Sequence, residues 1–146
     1  MKLRYREGIF LVVYSEEHEK RKYLILKRKL HWKGWEFPKG GIKNNEEIST
    51  AVRRELKEET GLKPLLIKKF KIKGQYKYKK LLKDRPGFFG QNYVLYSAEI
   101  NYGKIKIDKI EHLSYEWLEF QDAVKKLKWT NQKKCLRIVN HWLEKK

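Results

Sequence analysis

The chain has 146 residues, with 36 lysines and arginines against 18 aspartates and glutamates, a formal net charge of +18, and one cysteine. This length fits one domain over residues 1–146, a lone cysteine excludes an intrachain disulfide framework, and no apolar run reaches the roughly 20 residues of a membrane span. We therefore expect a soluble cytoplasmic protein without membrane contact, whose charge attracts polyanions or reflects a lysine-rich host.

The first elements predicted along the chain are two strands and a loop. Residues 10–14 and 23–26 are apolar, β-branched and aromatic, which is typical of buried strands. The polar segment between them predicts a hairpin turn. Residues 32–41 are rich in tryptophan, glycine and proline, and predict a shaped loop.

A helix is predicted next, over residues 45–60. Asn44 or Asn45 can cap it, and Glu46 and Glu47 then fall in its first turn, where the helix dipole favours negative charge. Gly61 suits the left-handed position that follows a helix.

The second half of the chain continues to alternate strands and helices. Strands are expected at 65–72, 93–100 and 115–118, and apolar spacing predicts a short helix over 120–127 and a final helix around 136–143. Hairpins and helices together favour an α+β fold with a mixed sheet packed between helices.

The predicted helix at 45–60 concentrates acidic residues in a basic chain. Glu55, Glu58 and Glu59 fall within about 100° of one helix face, which they share with apolar residues. Such neighbours repel one another, so either one is protonated or a cation neutralises them, and oxygen ligands select Mg²⁺, Mn²⁺ or Ca²⁺. The alternative is a solvated helix with an Arg54–Glu58 ion pair.

The loop before this helix favours the site over the solvated helix. Gly40 and Gly41 allow close approach to a ligand, Lys39 adds a cation, and the helix start offers free N–H groups to an anion.

This segment resembles the Nudix box, G-x5-E-x7-R-E-U-x-E-E-x-G-U, where U is a bulky aliphatic residue. All nine specified positions match, without a gap: Gly40, Glu46, Arg54, Glu55, Leu56, Glu58, Glu59, Gly61 and Leu62. The resemblance implies the family's α/β/α sandwich and a hydrolase of phosphoanhydride bonds.

The resemblance also implies roles for the box residues. Glu55, Glu58 and Glu59 would bind Mg²⁺ or Mn²⁺, the backbone carbonyls of Lys39 or Gly40 would add a ligand, and Arg54 would orient the glutamates. One glutamate would deprotonate the attacking water, and which one stays open.

Three motifs outside the box bear on the substrate. The sequence at 110–127 is similar to that of asymmetric diadenosine tetraphosphate hydrolases, which makes conversion of diadenosine tetraphosphate to ATP and AMP the first expectation. WEFPKGG at 35–41 is similar both to those enzymes and to RNA 5′-pyrophosphohydrolases, and the segment 89–100 resembles the latter. The alternatives are therefore an RNA 5′-end pyrophosphohydrolase, or a catalytically idle RNA-binding module.

Four residues outside the box are further candidates. By the resemblance, Glu111 is a distal metal ligand or base, and His112 and Tyr115 line the site, although each also fits an ordinary structural role. Arg28 ends a strand beside the glycine-rich loop and can hold a phosphate. Aromatic residues between 76 and 93 include candidates for base stacking, and the segment 77–85 can contact a polyphosphate or RNA.

For the oligomeric state, we expect a monomer or a homodimer.

Overall fold

The computed structural model describes residues 2–17 and 19–146. Its strands are β1 (Arg4–Ser15), β2 (Lys22–Arg28), β3 (Gly34–Glu36), β4 (Lys39–Gly41), β5 (Leu66–Lys77), β6 (Phe88–Glu99) and β7 (His112–Leu118). Its helices are α1 (Ile48–Thr60), α2 (Phe120–Lys126) and α3 (Thr130–Glu144). In these described residues no helix is long and apolar enough to cross a membrane.

The strands form one mixed sheet in the order β3-β2-β1-β6-β5, with β4 paired to β1 and β7 paired to β2. The central pair β1–β6 is parallel and the other pairs are antiparallel. This arrangement confirms the expected α+β fold with a mixed sheet. Strand β5 lies at one edge of the sheet.

Strand β1 explains why helices lie on both faces of the sheet. Its residues from Gly8 to Ser15 are all buried, as expected for a strand covered on both sides. Phe10 and Val12 belong to a hydrophobic cluster with residues of α2 and α3, whereas Ile9 and Leu11 belong to a second cluster with residues of α1. The result is the expected α/β/α sandwich.

The predicted start of α1 is wrong. The helix begins at Ile48 rather than at residue 45, because Asn45 has a left-handed φ of 63° and ends a tight turn. Glu47 precedes the first helical residue without a side-chain cap, and Glu46 turns back to accept a hydrogen bond from the Lys43 N–H. The end is as predicted, since Gly61 is left-handed and its N–H bonds to the Lys57 carbonyl.

The other differences concern strand lengths. The loop predicted at 32–41 contains β3 and β4, three residues each, whose short ladders leave almost no periodicity in the sequence. Polar residues extend β1 and β5 beyond their apolar runs, because backbone ladders do not require apolar side chains. The predicted hairpin joins β1 and β2 at Ser15 and Lys22, and its turn includes His18, outside the described residues.

Candidate active site

The approach of β4 to α1 positions the first carboxylate. Strand β4 pairs with β1, which holds Gly40 against the Glu55 side chain. A Cβ atom at Gly40 would lie 2.0 Å from the Glu55 carboxyl carbon, so only glycine leaves room for this carboxylate.

Arg54 links the carboxylates and the loop. Its guanidinium donates two hydrogen bonds to Glu46, at 2.8 and 2.9 Å, and one each to Glu55 and the Gly41 carbonyl, both at 2.8 Å. These bonds lower the pKa of Glu46 to about 2. The Arg54–Glu58 pair of the solvated-helix alternative is present but longer, at 3.5 Å.

Two of the three helix glutamates are buried. Glu55 is 7% exposed and Glu59 is 2% exposed, whereas half of the Glu58 side chain faces solvent. Burial raises the pKa of both buried groups to about 7, although Arg54 beside Glu55 and His112 beside Glu59 oppose it. A cation in this place would replace those protons.

Behind Glu59 lies a buried charge network that sequence reasoning missed. Its centre is Glu36, fully buried, which accepts hydrogen bonds from Arg28 at 2.9 Å and from His112 Nε2 at 2.8 Å. The Lys39 ammonium lies 3.5 Å from the same carboxylate. Burial alone would raise the pKa of Glu36, but these cations outweigh it and hold the pKa at about 2. The sequence feature that could have indicated a buried carboxylate is an acidic residue placed directly after Trp35 in an apolar segment.

His112 joins this network to the helix. Its Nδ1 atom lies 3.1 Å from Glu59 Oε2. Burial lowers the pKa of His112, but the two carboxylates outweigh that effect and raise it to about 9, so the ring is an imidazolium. The resemblance placed His112 in the lining of the site, with an ordinary structural role as the alternative; the ring is buried between Glu36 and Glu59, as that alternative expects.

The residues present fit a divalent cation. One ligand atom each from Glu59, Glu111 and His112 lie within 4.8 Å of one another. Glu59 Oε2 faces His112 Nδ1 at 3.1 Å but forms no well-angled hydrogen bond, so the protein does not fully satisfy this carboxylate. Because His112 is already held between two carboxylates, the glutamates are the candidate ligands, and carboxylate oxygens are what Mg²⁺ or Mn²⁺ prefers.

Two cavities meet at this place. A cavity of about 200 Å³ is lined by Glu55, Glu58, Glu59 and Glu111, and also by basic residues that include Arg6 and Arg85. A larger cavity of about 420 Å³ is lined by Trp32, Trp129, Tyr78 and several lysines. Four residues line both cavities: Arg28, Lys39, Tyr76 and Arg85.

Sequence reasoning missed Arg6 and Trp129, whereas Arg85 lies in the segment 77–85 that was expected to contact a polyphosphate or RNA. Burial and the nearby positive charge of Arg85 lower the pKa of Arg6. Neither arginine has an ion pair among the described residues, which leaves both charges for a ligand anion. The proximity of Arg6 and Arg85 could not be predicted, because they are far apart in the sequence.

Other predicted residues occupy different roles. Arg28 lines both cavities, but its guanidinium is already bonded to Glu36 and to the Leu30 carbonyl. Tyr115 does not line the site: it packs against the hydrophobic cluster under α1, and its hydroxyl accepts a hydrogen bond from the Ile105 N–H. Gly41 lies under the Arg6 guanidinium. Lys39 and Gly40 do line the smaller cavity, and their carbonyls as metal ligands stay a prediction.

Several curated proteins share sequence with the chain, including two RNA pyrophosphohydrolases and an 8-oxo-dGTP diphosphatase. The RNA pyrophosphohydrolase of Hydrogenovibrio crunogenus is 38% identical over 60 residues, which is 41% of this chain and only about a third (34%) of that protein. The 8-oxo-dGTP diphosphatase of Buchnera aphidicola is 32% identical over 75% of this chain and 69% of its own length. The RNA pyrophosphohydrolase of Nitratiruptor is 30% identical over 83% of this chain and 82% of its own length.

The fold is also that of solved structures. The Ap4A hydrolase of C. elegans superimposes with a TM-score of 0.70 over 95% of this chain and 99% of its own, at 22% identity. The NUDIX domain family matches residues 4–137, which include the whole acidic site. The chain therefore belongs to the NUDIX domain family.

Proposed function

We propose that this hydrolase uses Mg²⁺ or Mn²⁺ to cleave a phosphoanhydride bond of a nucleoside polyphosphate, with diadenosine tetraphosphate, cut to ATP and AMP, as the first candidate substrate. The observation that carries the proposal is the junction of the two cavities. Carboxylates line one cavity, aromatic rings line the other, and Lys39 and Arg85 line both. A polyphosphate at the junction would place its base in the aromatic cavity and its anhydride at the carboxylates.

The carboxylates of the smaller cavity would hold the cation, with Glu55 and Glu59 as its buried ligands and Glu58 and Glu111 at its rim. A divalent cation held there supplies charge neutralisation on phosphate oxygens and a lowered pKa for water.

The protein's own groups would orient the reaction. Arg54 fixes Glu55 through the 2.8 Å bond, and His112 keeps Glu59 turned toward the cavity. Arg6 and Arg85 line the same cavity as the carboxylates and suit the phosphate oxygens, since guanidinium matches phosphate geometry. A deprotonated glutamate of the four then accepts the proton of the attacking water.

The aromatic cavity would hold the base. Trp32 and Trp129 meet edge to face at 5.1 Å, and Tyr76 lies on the side toward the carboxylates. One base stacked on such a ring gains about 1–3 kcal/mol. The lysines over the indole rings, Lys39 and Lys128, would move to the phosphates when a base stacks.

RNA with a 5′-triphosphate is the second candidate substrate, because two of the relatives above are named RNA pyrophosphohydrolases and one of them aligns over most of this chain. The net charge of +18 also favours a polyanion.

The buried free thiol of Cys135 suits a reducing cytoplasm. Size measurement would separate a monomer from a homodimer.

A substrate panel with product identification tests the proposal. Diadenosine tetraphosphate, 5′-triphosphorylated RNA and 8-oxo-dGTP are incubated with Mg²⁺, and kcat/KM is measured for each. We expect ATP and AMP from the first substrate, with the highest kcat/KM. A higher kcat/KM on RNA would transfer the assignment to the second candidate, and RNA binding without any turnover would leave an idle binding module.

A further inference from the structure

The edge strand β5 carries a row of exposed lysines. Exposed and inward-facing side chains alternate along its second half, and the exposed ones are Lys69, Lys71, Lys73, Gln75 and Lys77. The inward-facing residues Phe70, Ile72 and Tyr76 pack on the core under α3. We call the four lysines of this row, 69, 71, 73 and 77, the β5 lysine row.

The charges of the row are not neutralised by the protein. Among residues 2–17 and 19–146, none of its four lysines forms an ion pair or a side-chain hydrogen bond, although acids elsewhere do pair with bases. Glu7, two strands away, accepts hydrogen bonds from Asn92 instead. The row is therefore open to an external anion.

Part of the row has the spacing of a regular strand, in which residues two apart are separated by about 6.6 Å. Lys73 and Lys77 lie in this regular part, whereas the register shift brings Lys69 and Lys73 opposite Tyr96 and Val94, only two residues apart on β6. The lysines therefore form a dense row of positive charge, which suits the phosphates of a linear polyanion.

The row also leads to the active site. Lys77, its last member, lines the aromatic cavity, and the chain continues along the cavity wall with Tyr78, Lys79 and Lys80. A strand whose 5′ end occupies that cavity would thus meet lysines as it leaves. Lys79 already lies 5.6 Å from the Trp129 ring centre.

We propose that the β5 lysine row binds the phosphate backbone of a single-stranded RNA whose 5′ end lies in the active site. This proposal rests on the second candidate substrate above. A competing explanation is that lysines on an edge strand prevent sheet-to-sheet aggregation. That explanation requires no RNA affinity and no continuity with the cavity.

The test compares RNA binding by two variants with the same charge change. The row variant is K69Q/K71Q/K73Q, which spares the cavity residue Lys77. The control is K125Q/K134Q/K145Q, three exposed lysines of the α2 and α3 region. The probes are 5′-hydroxyl uridine oligomers of two and ten nucleotides, which carry no bond for the enzyme to cut, so binding is measured apart from turnover.

We expect the row variant alone to lose affinity for the longer oligomer. The loss of three phosphate contacts should make the slope of log K against log salt concentration shallower by about 2. When the salt concentration rises fourfold, the factor by which the variant loses RNA affinity should therefore be roughly 20 times smaller than the factor for the wild type. Affinity for the dinucleotide should not change, and K69R/K71R/K73R should behave as wild type.

Equal effects of the row and control variants would overturn the proposal. So would a row variant that loses binding only to phosphatidylserine vesicles, which would indicate a membrane surface. If K69Q/K71Q/K73Q aggregates, K73Q alone should still reduce the salt slope by about 0.7. The protein could bind RNA through the β5 lysine row and yet not hydrolyse triphosphorylated RNA. That result would refute the second candidate substrate but would still support the row as an RNA-binding surface.

Discussion

Glu59 is held on its buried side by a charged histidine and is open on its other side to the carboxylate cavity. Burial, with the nearby charge of Glu111, raises the pKa of Glu59 to about 7, and the charge of His112 offsets only part of this effect. The side chain has one direction left in which to bind a ligand, which is toward the cavity.

The first prediction concerns this residue. Glu59→Gln should lower kcat at least about 100-fold, because a lost cation ligand costs several kcal/mol of transition-state stabilisation and each 1.36 kcal/mol is a factor of ten. The far-ultraviolet circular dichroism spectrum should not change. Glu47→Gln, at the exposed start of α1, is the control and should keep wild-type activity; activity of Glu59→Gln within twofold of wild type would contradict the assignment.

The second prediction concerns how much the buried network around Glu36 contributes to the stability of the fold. Glu36→Gln removes the carboxylate shared by Arg28 and His112, so we expect the free energy of unfolding to fall by about 3 kcal/mol. Urea denaturation measures it. The control, Glu116→Gln, breaks the exposed pair with Lys126 and should cost less than about 1 kcal/mol. Similar losses in both variants would show that Glu36 is not structurally central.

At the scale of elements, the junction of β4 and α1 decides whether the carboxylates meet. Gly40→Ala places a methyl group inside the present position of the Glu55 carboxyl group. We expect kcat/KM to fall at least about tenfold, with a weaker cation affinity measured by calorimetry, because Glu55 must turn away. Ser49→Ala, at an exposed position of α1, serves as control, and an unchanged cation affinity in Gly40→Ala would argue against this geometry.

Local spacing along the sequence was enough to predict part of the site. The nine box positions predicted the helix, its glutamates and their shared face, because a helix converts fixed spacing into a fixed direction. The partners of Glu36 and the proximity of Arg6 to Arg85 could not be predicted in the same way. They depend on strands and connections that are distant in the sequence, and no local pattern records such long-range contacts.

The whole molecule couples protons to cation binding. Burial raises the pKa of Glu55 and Glu59 from the ordinary 4.5 to about 7, so the metal-free fold binds more protons than the unfolded chain between these values. The stability that these groups give to the metal-free protein is therefore complete below about pH 4.5 and is lost as the pH rises through about 7.

A pH-dependent metal effect follows from this coupling. A divalent cation binds the deprotonated carboxylates, so the rise in melting temperature caused by Mg²⁺ should be larger at about pH 8 than at about pH 5.5. Differential scanning fluorimetry with and without Mg²⁺ measures it. The double variant Glu55→Gln/Glu59→Gln should lose the pH difference; a Mg²⁺ effect that is equal at both pH values in the wild type would contradict the coupling.

Anomalous X-ray diffraction from crystals soaked in Mn²⁺ shows whether the buried glutamates gather a divalent cation. We expect an anomalous peak in the carboxylate cavity, within about 2.5 Å of oxygens of Glu55 and Glu59. A cavity without such a peak, with Mn²⁺ bound only at exposed carboxylates elsewhere, would show that these glutamates do not form a cation site.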